Sequence, residues 1–390
     1  MKYLYTLFIL LSLAAVFFAP VEKHELNEMT FSFAMGIDYA DDGYEVSLQL
    51  INPAAIAGKT QIPNSPYVVY KETGRTIDTA LERISVNVSR FVHLKQLEVI
   101  LLGERIAREG KIQDITQYVM HSAQVPTDAH LVIAQGVSAS ELLKLYSPIE
   151  GFSAFEIENI LQKLGRDIPV TASEIKVDEI KEGKDIAMPF IKIEGDLKSG
   201  KEKGNLETTS PTHISYGGLA LFKENKLVEF LDYRDAAYVS MLQGVESGYS
   251  IEASCPKGEN GLFTYRIFGN KAREGKVEIY EDKYVFHFNL NLSGDISQLK
   301  CKINLENPQE IKLLEEQIKI TIQKEVEDLL TIAQKNELDP LGLGLIMSEE
   351  SPENWNKLKS DWPSHLKNAE IKLHTKVKVQ SIGNYKIGGG

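Results

Sequence analysis

The sequence predicts an α+β fold, with mixed, largely antiparallel sheets and helices packed on one side, in two principal domains. Apolar and polar residues alternate over several short segments, as half-buried strands require, and elsewhere apolar residues recur every three or four positions, as amphipathic helices require. Neither half carries the Gly-rich strand-to-helix turns of a nucleotide-binding parallel sheet, and no repeat of fixed period occurs. Residues 195–212, GDLKSGKEKGNLETTSPT, have almost no apolar side chains. They read as a linker or long surface loop between an N-terminal domain at 22–194 and a C-terminal domain at 213–384.

Residues 1–20 form a signal or membrane-anchor segment. From Tyr3 to Val21 no side chain is charged, and these nineteen residues follow a single Lys2. As a helix they reach about 28 Å, close to the hydrocarbon thickness of a bilayer, so length alone leaves both cleavage and retention open. Phe17 and Phe18 before Ala19, with Pro20 after it, make a poor cleavage site. Leu13-Ala14-Ala15 could start a lipoprotein cleavage box, but Val16 stands where the acylated cysteine would be.

The N-terminal half then opens with strands at 31–37 and 44–50, joined by the hairpin signal Asp41-Asp42-Gly43. Ile77, Leu81, Ile84 and Val88 mark a helix. Strands at 96–102 and 129–134 alternate with helices at 110–120, 139–146 and 152–164, and a strand at 186–193 carries Pro189, which suggests an edge position. A subdivision of this half near 100–150 stays open. The second half reads as strands at 213–222 and 227–231, a helix to Leu242, then strands at 249–255, 262–268, 276–280, 284–292 and 299–305. Pro308 starts the longest helix, whose stripe Ile311, Leu314, Ile318, Ile322, Val326, Leu329 and Ala333 belongs on a sheet. In the last strand Ile371, Leu373, Thr375, Val377 and Val379 face in, and Lys372, His374, Lys376 and Lys378 face out. That outer face either keeps an edge strand from mispairing or meets an anionic polymer or headgroup.

The 390 residues hold 43 Lys plus Arg against 55 Asp plus Glu, a net charge of −12. Nucleic acid is therefore not expected as a partner, since neutralising phosphates needs a clustered positive field. Cys255 and Cys301 are the only cysteines. Each sits on the apolar face of an expected strand, and they are equally readable as a disulfide or as two buried thiols. No nucleophile–base set, zinc helix or phosphate loop is complete. His24-Glu25-Leu26-Asn27-Glu28 lacks a second histidine, and Gly58-Lys59-Thr60 lies between Pro53 and Pro63, which forbid a phosphate loop and its helix. The histidines read as isolated from one another. No catalytic, cofactor-binding or metal-binding residue is assigned, and no enzyme is expected.

Ordered strings then carry a resemblance. Glu25-Leu26-Asn27-Glu28, Gly36-Ile37-Asp38, Gly43-Tyr44-Glu45-Val46, Ile51-Asn52-Pro53, Gly103-Glu104 and Gly218-Leu219-Ala220-Leu221-Phe222-Lys223 resemble the Ger(x)C family. These are the C subunits of nutrient germinant receptors of spore-forming bacteria. Leu338-Asp339-Pro340-Leu341-Gly342, then Trp355 and Trp362, resemble the family's ending. Asp339-Pro340-Leu341-Gly342 reads either as a shaped loop or as a helix stop. The resemblance implies a non-enzymatic accessory subunit on the outer surface of the spore inner membrane, acting with A and B subunits in receptor assembly or signal coupling, without a cofactor. It also implies a lipoprotein, yet the lipidated cysteine aligns with Pro20, so no lipid can be attached there. The rival reading is an exported solute-binding or cell-wall-associated protein that holds a small ligand between its two halves.

Overall fold

The computed structural model describes residues 28–52, 65–163, 171–209, 211–244, 248–270, 273–281, 283–304, 307–383 and 385–386. The expected anchor segment, Pro20, the Glu25-Leu26-Asn27 string and Gly58-Lys59-Thr60 lie outside them. In chain order the first sheet and its helices comprise β1 (Met29–Ala40), β2 (Gly43–Ile51), β3 (Tyr67–Gly74), α1 (Ile77–Asn87), β4 (Phe91–His93), β5 (Val99–Gly103), α2 (Glu104–Arg108), α3 (Ile112–His121), β6 (His130–Ala134), α4 (Ala139–Leu142), α5 (Ser153–Gln162), α6 (Ala172–Ile180), β7 (Ala187–Glu194), α7 (Leu197–Gly200), β8 (His213–Lys223) and β9 (Lys226–Asp232). Helix α8 (Tyr233–Leu242) leads to β10 (Ser250–Ser254), β11 (Leu262–Asn270), β12 (Arg273–Tyr280), β13 (Lys283–Leu299), α9 (Pro308–Asn336), α10 (Leu343–Glu350), α11 (Pro352–Leu358), α12 (Trp362–Leu366), β14 (Ala369–Ile382) and β15 (Tyr385–Lys386).

The fold is α+β with mixed sheets. Nine strands form the first sheet in the order β3-β2-β1-β5-β6-β7-β8-β9, with β4 beside β1. Its centre is parallel and its flanks antiparallel. The Asp41-Asp42 turn closes the β1–β2 hairpin, where Ala40 pairs with Gly43. The runs Val99-Ile100-Leu101-Leu102 and Leu131-Val132-Ile133-Ala134 are buried on both faces. Ile100, Leu102, Leu131 and Ile133 join a core with α1, α2, α3 and α6, while Val99, Leu101, Val132 and Ala134 join another with α4 and α5. Helices therefore cover both faces of this sheet rather than one, and continuous apolar runs are what two-sided burial demands.

The second sheet runs β10-β11-β13-β14-β15, with β12 also on β13. Helix α9 crosses it. The Asn307 side chain caps α9 by accepting from the Gln309 N–H at 3.0 Å, and Pro308 needs no intrahelical donor. The expected stripe from Ile311 to Ala333 is buried, each side chain contributing about 1.5–3 kcal/mol for the larger aliphatics. Helix α9 also covers the edge of β14. Gln323 donates to the Ile371 carbonyl at 3.1 Å and accepts from the Leu373 N–H at 3.2 Å, and Glu315 accepts from the Val379 N–H at 3.0 Å. The lysines on the outer face of that edge strand are exposed.

Four local expectations change. Strand β7 is interior, between β6 and β8, so Pro189 does not mark an edge. Its ladder with β6 begins only at Phe190, which leaves the proline outside that pairing. Residues 139–146 form only the short α4. In the segment 299–305, residues 300–304 are not strand: β13 runs on to Leu299, the chain leaves the sheet at Lys300, and a disulfide joins Cys301 to Cys255, with Cα atoms 5.5 Å apart. Closing a loop of that 46-residue separation is worth about 3–4 kcal/mol in the chain-entropy model. Finally, 195–212 does not separate the sheets. Asn205 is buried there, donating to the Tyr146 and Thr212 carbonyls at 2.8 Å each, and β8 and β9 beyond it extend the first sheet. Leu219, Leu221 and Leu231 of those strands pack with β11, β13 and α9 in one core. The sheets therefore meet across α8.

Candidate functional site

The residues singled out after the long helix converge at the junction between the two halves. Helix α9 ends with Glu337 in a left-handed conformation, φ 55°, and the Leu338 N–H donates to the Ala333 carbonyl at 2.9 Å. This reversal buries Asp339. Its Oδ1 accepts from the Leu343 N–H at 2.9 Å, and its Oδ2 accepts from the Gly344 N–H at 2.7 Å and from Trp362 Nε1 at 2.9 Å. The carboxylate thus satisfies the first amides of α10 and anchors α12 at once. Gly342 begins α10 with φ 72°, a left-handed turn that favours glycine.

The backbone of Asp339 carries the contact to the other half. Its N–H donates to Asp185 Oδ2 at 2.6 Å, and the Asp185 N–H donates to its carbonyl at 3.0 Å. Next to this reciprocal pair the Leu345 N–H donates to the Gly183 carbonyl at 2.8 Å. A Cβ built on Gly344 would stand 2.8 Å from both Gly183 Cα and Trp362 Nε1, so only glycine permits this approach. Trp355 Nε1 donates to Glu182 at 3.3 Å, Lys359 pairs with the same carboxylate at 3.1 Å, and the two tryptophan rings meet edge-on at 5.5 Å. Pro340 contributes its carbonyl, which accepts from Gln243 of the α8 terminus at 3.4 Å. Glu337 is held by Lys223 at 2.9 Å and Lys367 at 3.0 Å, and these ammoniums bring its carboxyl down to about 2.

Burial pushes the Asp339 carboxyl up to about 6 despite its three N–H donors, with a smaller push from Asp185. Burial raises Asp185 as well. Both oxygens of Asp339 are engaged by structural donors. The arrangement can hold the two halves in fixed register. Sequence reasoning picked out the string Asp339-Pro340-Leu341-Gly342 and, apart from it, Trp355 and Trp362, and the structure brings both tryptophans to the same junction. It missed Glu182, Gly183, Asp185 and Gly344, whose only signal was the alternation of Gly342 with Gly344.

The histidines are not all isolated. His287 and His374 stack with ring centroids 5.2 Å apart and Nδ1 to Nε2 at 2.9 Å, because the parallel β13–β14 ladder sets their strands side by side. Glu278 lies 3.3 Å from His287. Among the described residues no group of three or more His, Cys, Asp or Glu side chains is placed to hold a metal ion.

Residues 22–193 match the family described as "Spore germination protein N-terminal domain", and residues 217–383 match "Spore germination B3/ GerAC like, C-terminal". The chain belongs to this Ger(x)C family. Members similar to it include "Spore germination protein KC" of Bacillus subtilis (strain 168), 24% identical over 93% of this chain and 91% of the relative. "Spore germination protein GerQC" of Bacillus cereus is 24% identical over 81% of this chain and 82% of the relative. The fold is shared with the chain titled "Crystal Structure of the GerBC protein", with a TM-score of 0.54 and 19% identity over 88% of this chain and 96% of that one. The pairing of an N-terminal with a C-terminal family domain agrees with the two-domain α+β class read from the sequence.

Proposed function

We propose that this Ger(x)C-family chain is a non-enzymatic accessory subunit of a spore nutrient germinant receptor, acting in receptor assembly or signal coupling with the A and B subunits. Its place is the outer surface of the spore inner membrane, with the uncharged N-terminal segment retained as the anchor in place of the lipid that the family resemblance implies. The observation that carries this reading is the junction at Asp339, where the family-like residues make structural contacts between two halves. A site built from carboxylate–amide hydrogen bonds and glycine contact transmits position rather than performing covalent chemistry. Among the described residues no helix is long and apolar enough to cross a membrane, which leaves the anchoring to the N-terminal segment in this proposal.

Dipicolinate release from spores lacking this chain tests the reading. The expected outcome is loss of response to one nutrient class, with the response to a receptor-independent germinant intact. Spores carrying Asp339→Asn at wild-type protein level should share that nutrient defect. An unchanged response of the deletion strain to every nutrient in the panel would remove the receptor-subunit reading.

A further inference from the structure

Helix α8 lies at the seam of the two sheets, with Ala236, Val239 and Leu242 in the shared core. Beside it is a cavity of about 380 Å³ whose walls include Tyr216 of β8, Tyr233 and Tyr238 of α8, and Tyr249 ahead of β10. Both halves thus contribute to one aromatic enclosure. Its volume falls at the small end of ligand pockets, roughly 300–1,000 Å³. Burial raises the Tyr216 and Tyr238 phenols far above their ordinary range, so their rings stay neutral.

Acidic side chains outnumber basic ones at the enclosure. Arg234 is the only cation among the lining residues, against Glu252 and Glu325. Burial first and then the fields of Asp232 and Glu325 hold the Asp235 carboxyl above its ordinary value, against a smaller opposing pull from Arg234. The guanidinium is engaged first by a hydrogen bond with Tyr233 and feels the carboxylates of Asp232 and Glu252 more weakly, so the two lining carboxylates outnumber it. Such a rim repels anions and attracts cations, and the faces of neutral tyrosines add a further attraction for an organic cation. We propose that this cavity binds a small organic ammonium with an apolar body, its cation at the Glu252 and Glu325 rim and its body between the tyrosines. The site is independent of the Asp339 junction and goes beyond the receptor-subunit reading, so either can fail without the other.

Calorimetric titration of the full chain in detergent micelles tests it with phenethylamine, L-phenylalanine and phenylpropionate, which share an apolar body and differ in charge. Phenethylamine should bind saturably and at least about tenfold more tightly than phenylpropionate. Phenylalanine binding as tightly as the amine would support the site and identify a zwitterion that also uses Arg234. Binding only of the plain amine would support it with a simple cation as the ligand. Glu325→Gln should weaken amine binding about tenfold, and Ala237→Trp, which fills the cavity, should abolish it without shifting the thermal transition. The rim substitution serves alone if the filled variant does not fold. No saturable amine binding up to about 10 mM, equal affinity for phenylpropionate, or undiminished binding by Glu325→Gln would overturn the proposal.

Discussion

A carboxyl at full burial is costly unless donors surround it, and Asp339 has three, from Leu343, Gly344 and Trp362. Asparagine keeps one oxygen and turns an amide NH₂ toward donors. Asp339→Asn should therefore cost about 1–3 kcal/mol, measured by urea denaturation. The pH dependence follows from burial, which lifts the carboxyl from 3.8 to about 6, with Asp185 moved the same way. The native state holds these protons where the unfolded chain has lost them, so the contribution is present in acid and lost as pH rises from 3.8 to about 6. The stability gap between wild type and Asp339→Asn should be wider at about pH 5 than at about pH 7. Reading Asp339-Pro340-Leu341-Gly342 as either a shaped loop or a helix stop left two alternatives, and the structure satisfies both. The loop ends α9, and the same carboxylate caps α10. That Trp362 donates to it was not legible, because a pairing across 23 residues leaves no periodic trace.

At the scale of elements, periodicity read faces well and neighbours poorly. The stripe on α9 and the alternation on β14 were visible because 3.6- and 2-residue repeats report which side chains share a face. Which strand lies beside β7 has no such signature, and Pro189 misled because an interior strand tolerates proline where one ladder is short. The contact between α10 and the segment before β7 makes a sharper test. An alanine at Gly344 puts a methyl 2.8 Å from Gly183 Cα and Trp362 Nε1. Gly344→Ala should cost about 1–3 kcal/mol by overpacking and should speed proteolysis between residues 180 and 186. Unchanged cleavage would mean that the loop relaxes without separating the halves.

For the whole molecule, the polar run at 195–212 looked like a boundary because solvent-facing loops and linkers share a composition. The boundary between sheets instead falls at α8, since β8 and β9 complete the first sheet and Ala220, Phe222 and Leu227 fill its core. A fragment ending at residue 194 should consequently fail to fold, giving no cooperative thermal transition by circular dichroism, whereas the intact chain should melt in a single transition through its shared core. By itself the sequence determined the α+β class, the faces of the long helix and last strand, the expectation of an uncharged anchor segment, and the family. All of these are carried by local patterns or ordered strings. Tertiary structure alone decided the two-sided first sheet, the capture of 213–232 by that sheet, the gathering of Asp339 with Asp185 and Trp362, and the tyrosine enclosure at the seam. Those depend on contacts between distant residues, whose energies come from burial and hydrogen bonding that no local spacing encodes.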